Sequence, residues 1–294
     1  MNLPEACEYD RRFVWLWSEM IMSTGAAGRP GTRARHGAGQ GCPRHLWDEE
    51  RRLGHFCPRF AIREGYESMA LNIVEKIDDG VKVNHVLASV SDKTGLEEMI
   101  PGLVEANPSV MIYSTGGTFK KIQEILGDEK AAKNLTAVSA YTGQPEMQGG
   151  LVKTLDFKIY LGLLSETYND AHVEDLGRCD AVPIDMVIVN LYPFKQTVAQ
   201  PDVTPEQART NIDIGGPCMV RASAKNYLRV ASVTDPGDYG RIIEELRASD
   251  GSISLKTRSE LMKKAFAHTA EYDTAISGYF AGRSYEEIAG CYTM

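Results

Sequence analysis

Residues 85–95 read HVLASVSDKTG, and the architecture follows from them. Val86, Leu87, Ala88 and Val90 make a short apolar run, six residues from His85 to Val90, ending in small polar residues. A run of that length, apolar at successive positions, reads as a strand buried on both faces. The turn Ser91-Asp92-Lys93-Thr94-Gly95 follows at once, and a helical pattern runs from Thr94 toward Glu105, with Pro101 expected to kink it. The same unit recurs downstream. Residues 110–113 (VMIY) predict a second strand, 114–118 (STGGT) a second tight turn, and 119–126 (FKKIQEIL) a second helix.

Farther out the alternation continues. Strands are expected at 135–139, 186–191 and 230–233, and helices at 217–225, 238–248 and, as one or two segments, 255–280. Thr204 and Pro205 open a further helix as a cap and a first-turn proline. Strand–helix alternation of this kind predicts an α/β fold, a mainly parallel sheet with helices on both faces. Ligands of such sheets bind at the carboxyl ends of the strands, near the point where strand order reverses.

The chain has 294 residues, 43% hydrophobic and 24% charged, with a formal charge of −8. An acidic balance argues against nucleic-acid binding, and no apolar run is long enough to span a bilayer. A cytoplasmic protein is expected. Residues 1–68 differ from the rest: they hold ten arginines and no lysine, whereas 69–294 hold eight arginines and fourteen lysines. Residues 25–41 contain six glycines and show neither helical nor strand periodicity. Such a stretch buries too little apolar surface to offset its ordering entropy. Met69 is therefore expected to open the folded domain, 69–294, with 1–68 either unfolded or not part of the native protein. Six cysteines in no framework spacing read as reduced thiols. Cys42, His45, His55 and Cys57 are the one combination that a zinc ion would need, and coincidence in a biased stretch is the preferred reading.

The turns at the strand ends carry the chemistry. Ser91, Lys93, Thr115, Gly116, Gly117 and Thr118 offer hydroxyls, one full positive charge and backbone amides at two helix starts, which suits a phosphate monoester. Asn190 and Tyr192 emerge from the strand at 186–191. Asn211, Asp213, Ile214, Gly215 and Gly216 lead into the helix that bears Arg221 and Lys225. Lys153 and Thr154 follow the pair Gly149-Gly150.

These residues fall in a recognisable series. SVSDKTG (89–95), STGGT (114–118), TGQPEMQGGLVKTL (142–155), NLYPF (190–194), NIDIGGP (211–217), MVRASAKN (219–226) and AFAHTAEYDTAISGYF (265–280) occur in that order. Across about residues 85–281 the chain resembles the IMP cyclohydrolase domain of the bifunctional purine-biosynthesis family. The resemblance implies a methylglyoxal synthase-like fold, a homodimer, a purine ribonucleotide substrate, and no metal or cofactor. It implies that Ser91, Asp92 and Lys93 contact the nucleotide and that 115–118 bind its phosphate. Lys153, Thr154, Val189, Asn190, Tyr192, Asp213, Ile214 and Gly215 would line the base and the reaction centre, and Lys225 would move protons. Two positions depart from the family's pattern: Leu151 replaces an arginine, and Asp156-Phe157 replaces His-Pro, with Lys158 a candidate to restore the lost charge. Because the family's chains usually continue into a formyl-transfer domain, a single-activity version is expected here, with a separate formyl-transfer enzyme upstream.

The implied reaction joins a carboxamide nitrogen to a formyl carbon and expels water. Both groups are weak, so catalysis needs proximity, proton transfer and a site for the oxyanion. A lysine at its ordinary pKa of about 10.4 is a poor base, so positive neighbours (Lys93, Lys153, Lys225 and Arg221 are the candidates) would be needed to adapt it. Lys153 and Lys225 are expected to transfer protons, Asp213 and Tyr192 to orient them, and the amides of 213–215 to receive the oxyanion. The alternatives are a nucleotide-sensing module of the same fold, which needs the phosphate turns without catalysis, and a methylglyoxal synthase-like lyase.

Overall fold

The computed structural model describes residues 73–144 and 153–294. The expectations for residues 1–68, the Cys42–Cys57 group and Leu151 all lie outside the described residues.

The chain enters through β1 (Gly80–Lys82) and β2 (His85–Val90), then α1 (Leu96–Ala106), β3 (Met111–Ser114), α2 (Gly116–Asn134), β4 (Leu135–Ala137) and α3 (Val138–Thr142). After the undescribed stretch come α4 (Phe157–Leu164), α5 (Asp170–Arg178), β5 (Met186–Asn190), α6 (Phe194–Val198), α7 (Pro205–Thr210), α8 (Gly215–Lys225) and β6 (Ala231–Val233). The chain ends with α9 (Tyr239–Ala248), β7 (Ser252–Ser254), α10 (Leu255–Ala281) and α11 (Tyr285–Ala289).

Five strands form a parallel sheet in the order β4-β3-β2-β5-β6. The chain builds outward from β2 through β3 to β4, then returns to pair β5 on β2's other side. The reversal therefore lies between β2 and β5, where Val90 pairs with Asn190. Both faces of the sheet are covered, as the apolar runs require. Val86, Ala88 and Val90 of β2 face α1, α2 and α9 with Met186 and Ile188, packing on Met99, Leu103, Ile242 and Leu246. Leu87, Val187 and Val189 face the other way, into a second core with Ile159, Met219, Val220, Ala265 and Tyr272. Each such aliphatic side chain contributes about 1.5–3 kcal/mol by leaving water.

The expected elements are present, with shifted ends. β3 and β6 begin one residue late. The strand from 135 stops at Ala137 and turns directly into α3, α8 starts at Gly215, and 255–281 is a single helix. Pro101 sits inside α1 without ending it. Gly127 (φ 69°, ψ 166°) breaks the helical geometry within α2, a conformation that only glycine adopts readily. β1 and β7 form a separate antiparallel pair.

Candidate active site

Two short segments at the carboxyl ends of β2 and β5 are stitched by one side chain. The Asn190 Oδ1 accepts the amides of Ser91 (2.7 Å) and Asp92 (2.9 Å), and its Nδ2 donates to the Asp92 carbonyl at 2.7 Å. Asp92 in turn accepts from the Thr94 amide and hydroxyl at 2.9 and 2.7 Å. Those bonds hold its carboxyl below the usual carboxylate range. Asp92 is thus committed to shaping the turn, and it does not line the cavity. Thr118 ties the second turn to the first: its hydroxyl accepts from the Val90 amide at 3.1 Å and lies 3.0 Å from the Val90 carbonyl.

Between these turns and the start of α8 lies a cavity of about 350 Å³. Of the residues expected to form the site, it gathers Ser91, Lys93, Thr115, Gly116, Gly117, Thr118, Lys153, Thr154, Asn190, Tyr192, Asp213, Ile214 and Gly215. Sequence reasoning did not single out Ser89, Thr210 and Met219, which also line it. Ser89 approaches Thr115 hydroxyl to hydroxyl at 3.4 Å, and a polar residue inside an otherwise apolar strand was its signal. A neighbouring cavity of about 400 Å³ shares Thr115, Gly116, Gly117 and Lys153 but has Phe119, Lys120 and Ala137 on its walls.

One wall is electropositive. Gly116 has φ +49°, and a Cβ there would stand 3.2 Å from the Lys153 Nζ; a Cβ on Gly117 would stand 3.8 Å from the Lys93 Nζ. Two ammonium groups therefore flank the glycine bend. The Thr118 and Phe119 amides donate to the Thr115 carbonyl at 3.1 and 3.2 Å, helix geometry leaves the Gly116 and Gly117 amides without intrahelical acceptors, and Thr115 provides no side-chain cap. Amides, the helix dipole and two cations converge there, an arrangement whose chemistry suits an anion.

A second part of the lining is built around Asp213. Its Oδ1 accepts the Gly216 amide at 2.9 Å, and the Thr154 hydroxyl reaches to within 2.6 Å of where Gly215 would carry a Cβ. Only glycine fits at 215 and 216, where a Cβ would meet Thr154 or Asp213. Burial raises the Asp213 carboxyl above its ordinary value, partly offset by the amides of Gly216 and Tyr192.

Five of the expected residues, Asp92, Lys225, Arg221, Val189 and Lys158, lie off the cavity wall. Lys225 is exposed at the far end of α8 and is absent from the cavity wall. The helix carries it about 15 Å along the axis from Gly215, toward the amino edge of the sheet. Arg221 lies over the Phe266 ring at 5.8 Å rather than in the cavity. Val189 points into the second core, 1% exposed, because strand alternation turns it away from the edge that Asn190 reaches. Lys158 stands 5.4 Å over the Tyr141 ring and 3.9 Å from Asp180, so it restores no charge to the site. Asp156, at the departure from the family pattern, caps α4 by accepting the Lys158 amide at 2.8 Å. Among the described residues no three His, Cys, Asp or Glu side chains gather as metal ligands, and no helix is long and apolar enough to cross a membrane.

Residues 95–218 match the MGS-like domain, and residues 223–293 match the AICARFT/IMPCHase bienzyme family. The bifunctional purine biosynthesis protein PurH of Magnetococcus marinus is 45% identical over 211 residues, covering 72% of this chain and 38% of that protein. PurH of Synechococcus sp. is 46% identical over 195 residues, 66% of this chain and 36% of that one. The chain thus spans well under half the length of these relatives. The crystal structure of ForH superimposes with a TM-score of 0.55 at 28% identity, over 67% of this chain and 97% of that one. The chain therefore carries an MGS-like domain and is similar, over that domain and the segment after it, to the AICARFT/IMPCHase purine-biosynthesis proteins.

Proposed function

We propose that the cavity closes 5-formamidoimidazole-4-carboxamide ribotide to IMP with release of water. The observation that carries this reading is the placement of two ammonium groups, Lys93 and Lys153, at the Gly116-Gly117 bend, with Asp213 and Thr154 lining the same cavity. Its volume of about 350 Å³ lies in the range of small-molecule sites, roughly 300–1,000 Å³.

In this reading the phosphate sits on the bend, held by the α2 amides, Lys93 and the hydroxyls of Ser91 and Thr115. That anchor delivers the imidazole toward Asp213, Ile214 and Gly215. The carboxamide nitrogen attacks the formyl carbon, forming the new C–N bond and an oxyanion, which the amides at the start of α8 receive. The carboxamide nitrogen loses one proton and the formamido nitrogen the other, the oxygen gains both, and C–O cleavage expels water as the C=N bond to the formamido nitrogen forms. Lys153 relays the proton, and Asp213 and Tyr192 orient the reacting groups. Lys225 has no part in this scheme within a single chain. A formyl-transfer reaction must supply the substrate. The homodimer implied by the resemblance and the cytoplasmic location expected from the composition belong to this proposal.

The test is the absorbance change on hypoxanthine-ring formation, with the formylated ribotide supplied and a metal chelator present. The full chain is expected to turn over, and Lys153→Ala to lose on the order of 10²-fold or more in kcat while still binding IMP. Binding without turnover in the wild type would instead make the chain a nucleotide-sensing module.

A further inference from the structure

Asp213 lies on a loop with no regular structure of its own, between α7 and α8. What fixes it comes from 59 residues away. The Asp213 amide donates to the Tyr272 hydroxyl at 2.8 Å, and the same hydroxyl lies 3.4 Å from the Asn211 carbonyl, to which it donates. One phenol thus bridges both sides of Ile212 and sets the path of the loop into the cavity. Tyr272 is on α10, is only 8% exposed, and does not line the cavity. Its ring is locked edge-on against Phe194, with centroids 6.2 Å apart. Phe194 closes the NLYPF turn, its amide donating to the Tyr192 carbonyl at 2.8 Å. The two segments that present Asp213 and Tyr192 therefore rest on the same α10 side chain.

We infer that Tyr272 is a positioning residue for the reaction proposed above, holding the Asp213–Gly215 segment at the working distance from the phosphate anchor. Nothing else described ties the Asp213 amide. Removing the hydroxyl leaves that amide without its acceptor, and the loop relaxes toward water to satisfy it. The phosphate bend, built from β2, β3 and α2, does not depend on this bond. The two ends of the substrate should therefore respond differently, because misplacing reacting groups costs rate even when binding survives.

Tyr272→Phe, which keeps the ring, is the test, with Tyr279→Phe as its control. The Tyr279 hydroxyl donates to the Val203 carbonyl at 3.2 Å, and its ring also packs edge-on against Phe194. Three readouts are compared: kcat and KM for ring closure, binding of inorganic phosphate, and hydrogen exchange at the Asp213 amide. Tyr272→Phe is expected to lower kcat on the order of tenfold, to leave phosphate binding within about twofold, and to speed Asp213 exchange. Tyr279→Phe should change none of the three. An unaltered kcat, or a loss shared equally between KM, phosphate binding and kcat, would overturn the inference. The exchange readout stands without turnover. A wild-type chain that does not cyclise ends the functional reading, while unchanged Asp213 exchange in Tyr272→Phe ends this one.

Discussion

Asp213 is the residue at which stability and chemistry pull against each other. Its carboxyl is held above the ordinary carboxylate value, mainly because burial penalises the charged form. The native state therefore binds the proton more tightly than the unfolded chain does. The resulting penalty is absent below the unfolded pKa, grows as pH rises through the window between the unfolded and folded values, and is fully present above it. Asparagine keeps an oxygen for the Gly216 amide but cannot ionise. Asp213→Asn is accordingly expected to melt at a higher temperature than the wild type at pH 8, with the advantage shrinking toward zero in acid, and to lose ring closure. Thermal melts across that range check it, and a variant no more stable than the wild type at pH 8 would show that the carboxylate carries no burial penalty. Gly116 illustrates the same economy in the backbone: it accepts a left-handed conformation so that Lys153 can approach the bend.

At the level of elements, α10 organises more than its own packing. Arg258, fully buried, donates to the carbonyls of Asp78, Asp79, Tyr227, Leu228 and Ile253. It joins the entry to β1, the turn before β6 and the middle of β7 to one helix. Arg258→Lys cannot satisfy those carbonyls from a single ammonium, so a loss of about 3 kcal/mol or more is expected. Urea denaturation should show a lower midpoint with an unchanged slope; a midpoint within about 0.5 kcal/mol of wild type would contradict it. This helix also shows where sequence reading falls short. Its period was legible, but a lone arginine in an amphipathic pattern looks like solvated surface until the carbonyls around it are seen. α7 was legible in detail, since Thr204 and Gln207 form the capping box around the expected proline start. α4 and α5 were not. The first is a short apolar run whose cap, Asp156, stands where the family has histidine, and the second buries no residue, so no core-facing stripe marks it.

Across the described residues, the strand alternation predicted the parallel sheet and its two covered faces, and the glycine turns marked the edge where the cavity lies. The switch point between β2 and β5 could be inferred as a rule but located only once strand order was known. Lys225 marks the limit of reasoning by spacing. It follows Asp213 by twelve residues, and the direction of α8, away from the carboxyl edge, takes it off the cavity wall. Lys153 and Lys93, by contrast, meet across a bend from sequence positions 60 residues apart. The central claim is that this bend anchors a ribotide whose base reaches the Asp213 loop. A crystal structure of the chain with IMP bound tests it most directly. The phosphate is expected on the amides of the Gly116-Gly117 bend beside Lys93, with the purine ring reaching Lys153 and Asp213–Gly215; a phosphate bound elsewhere, or a ring turned away from Asp213, would contradict it.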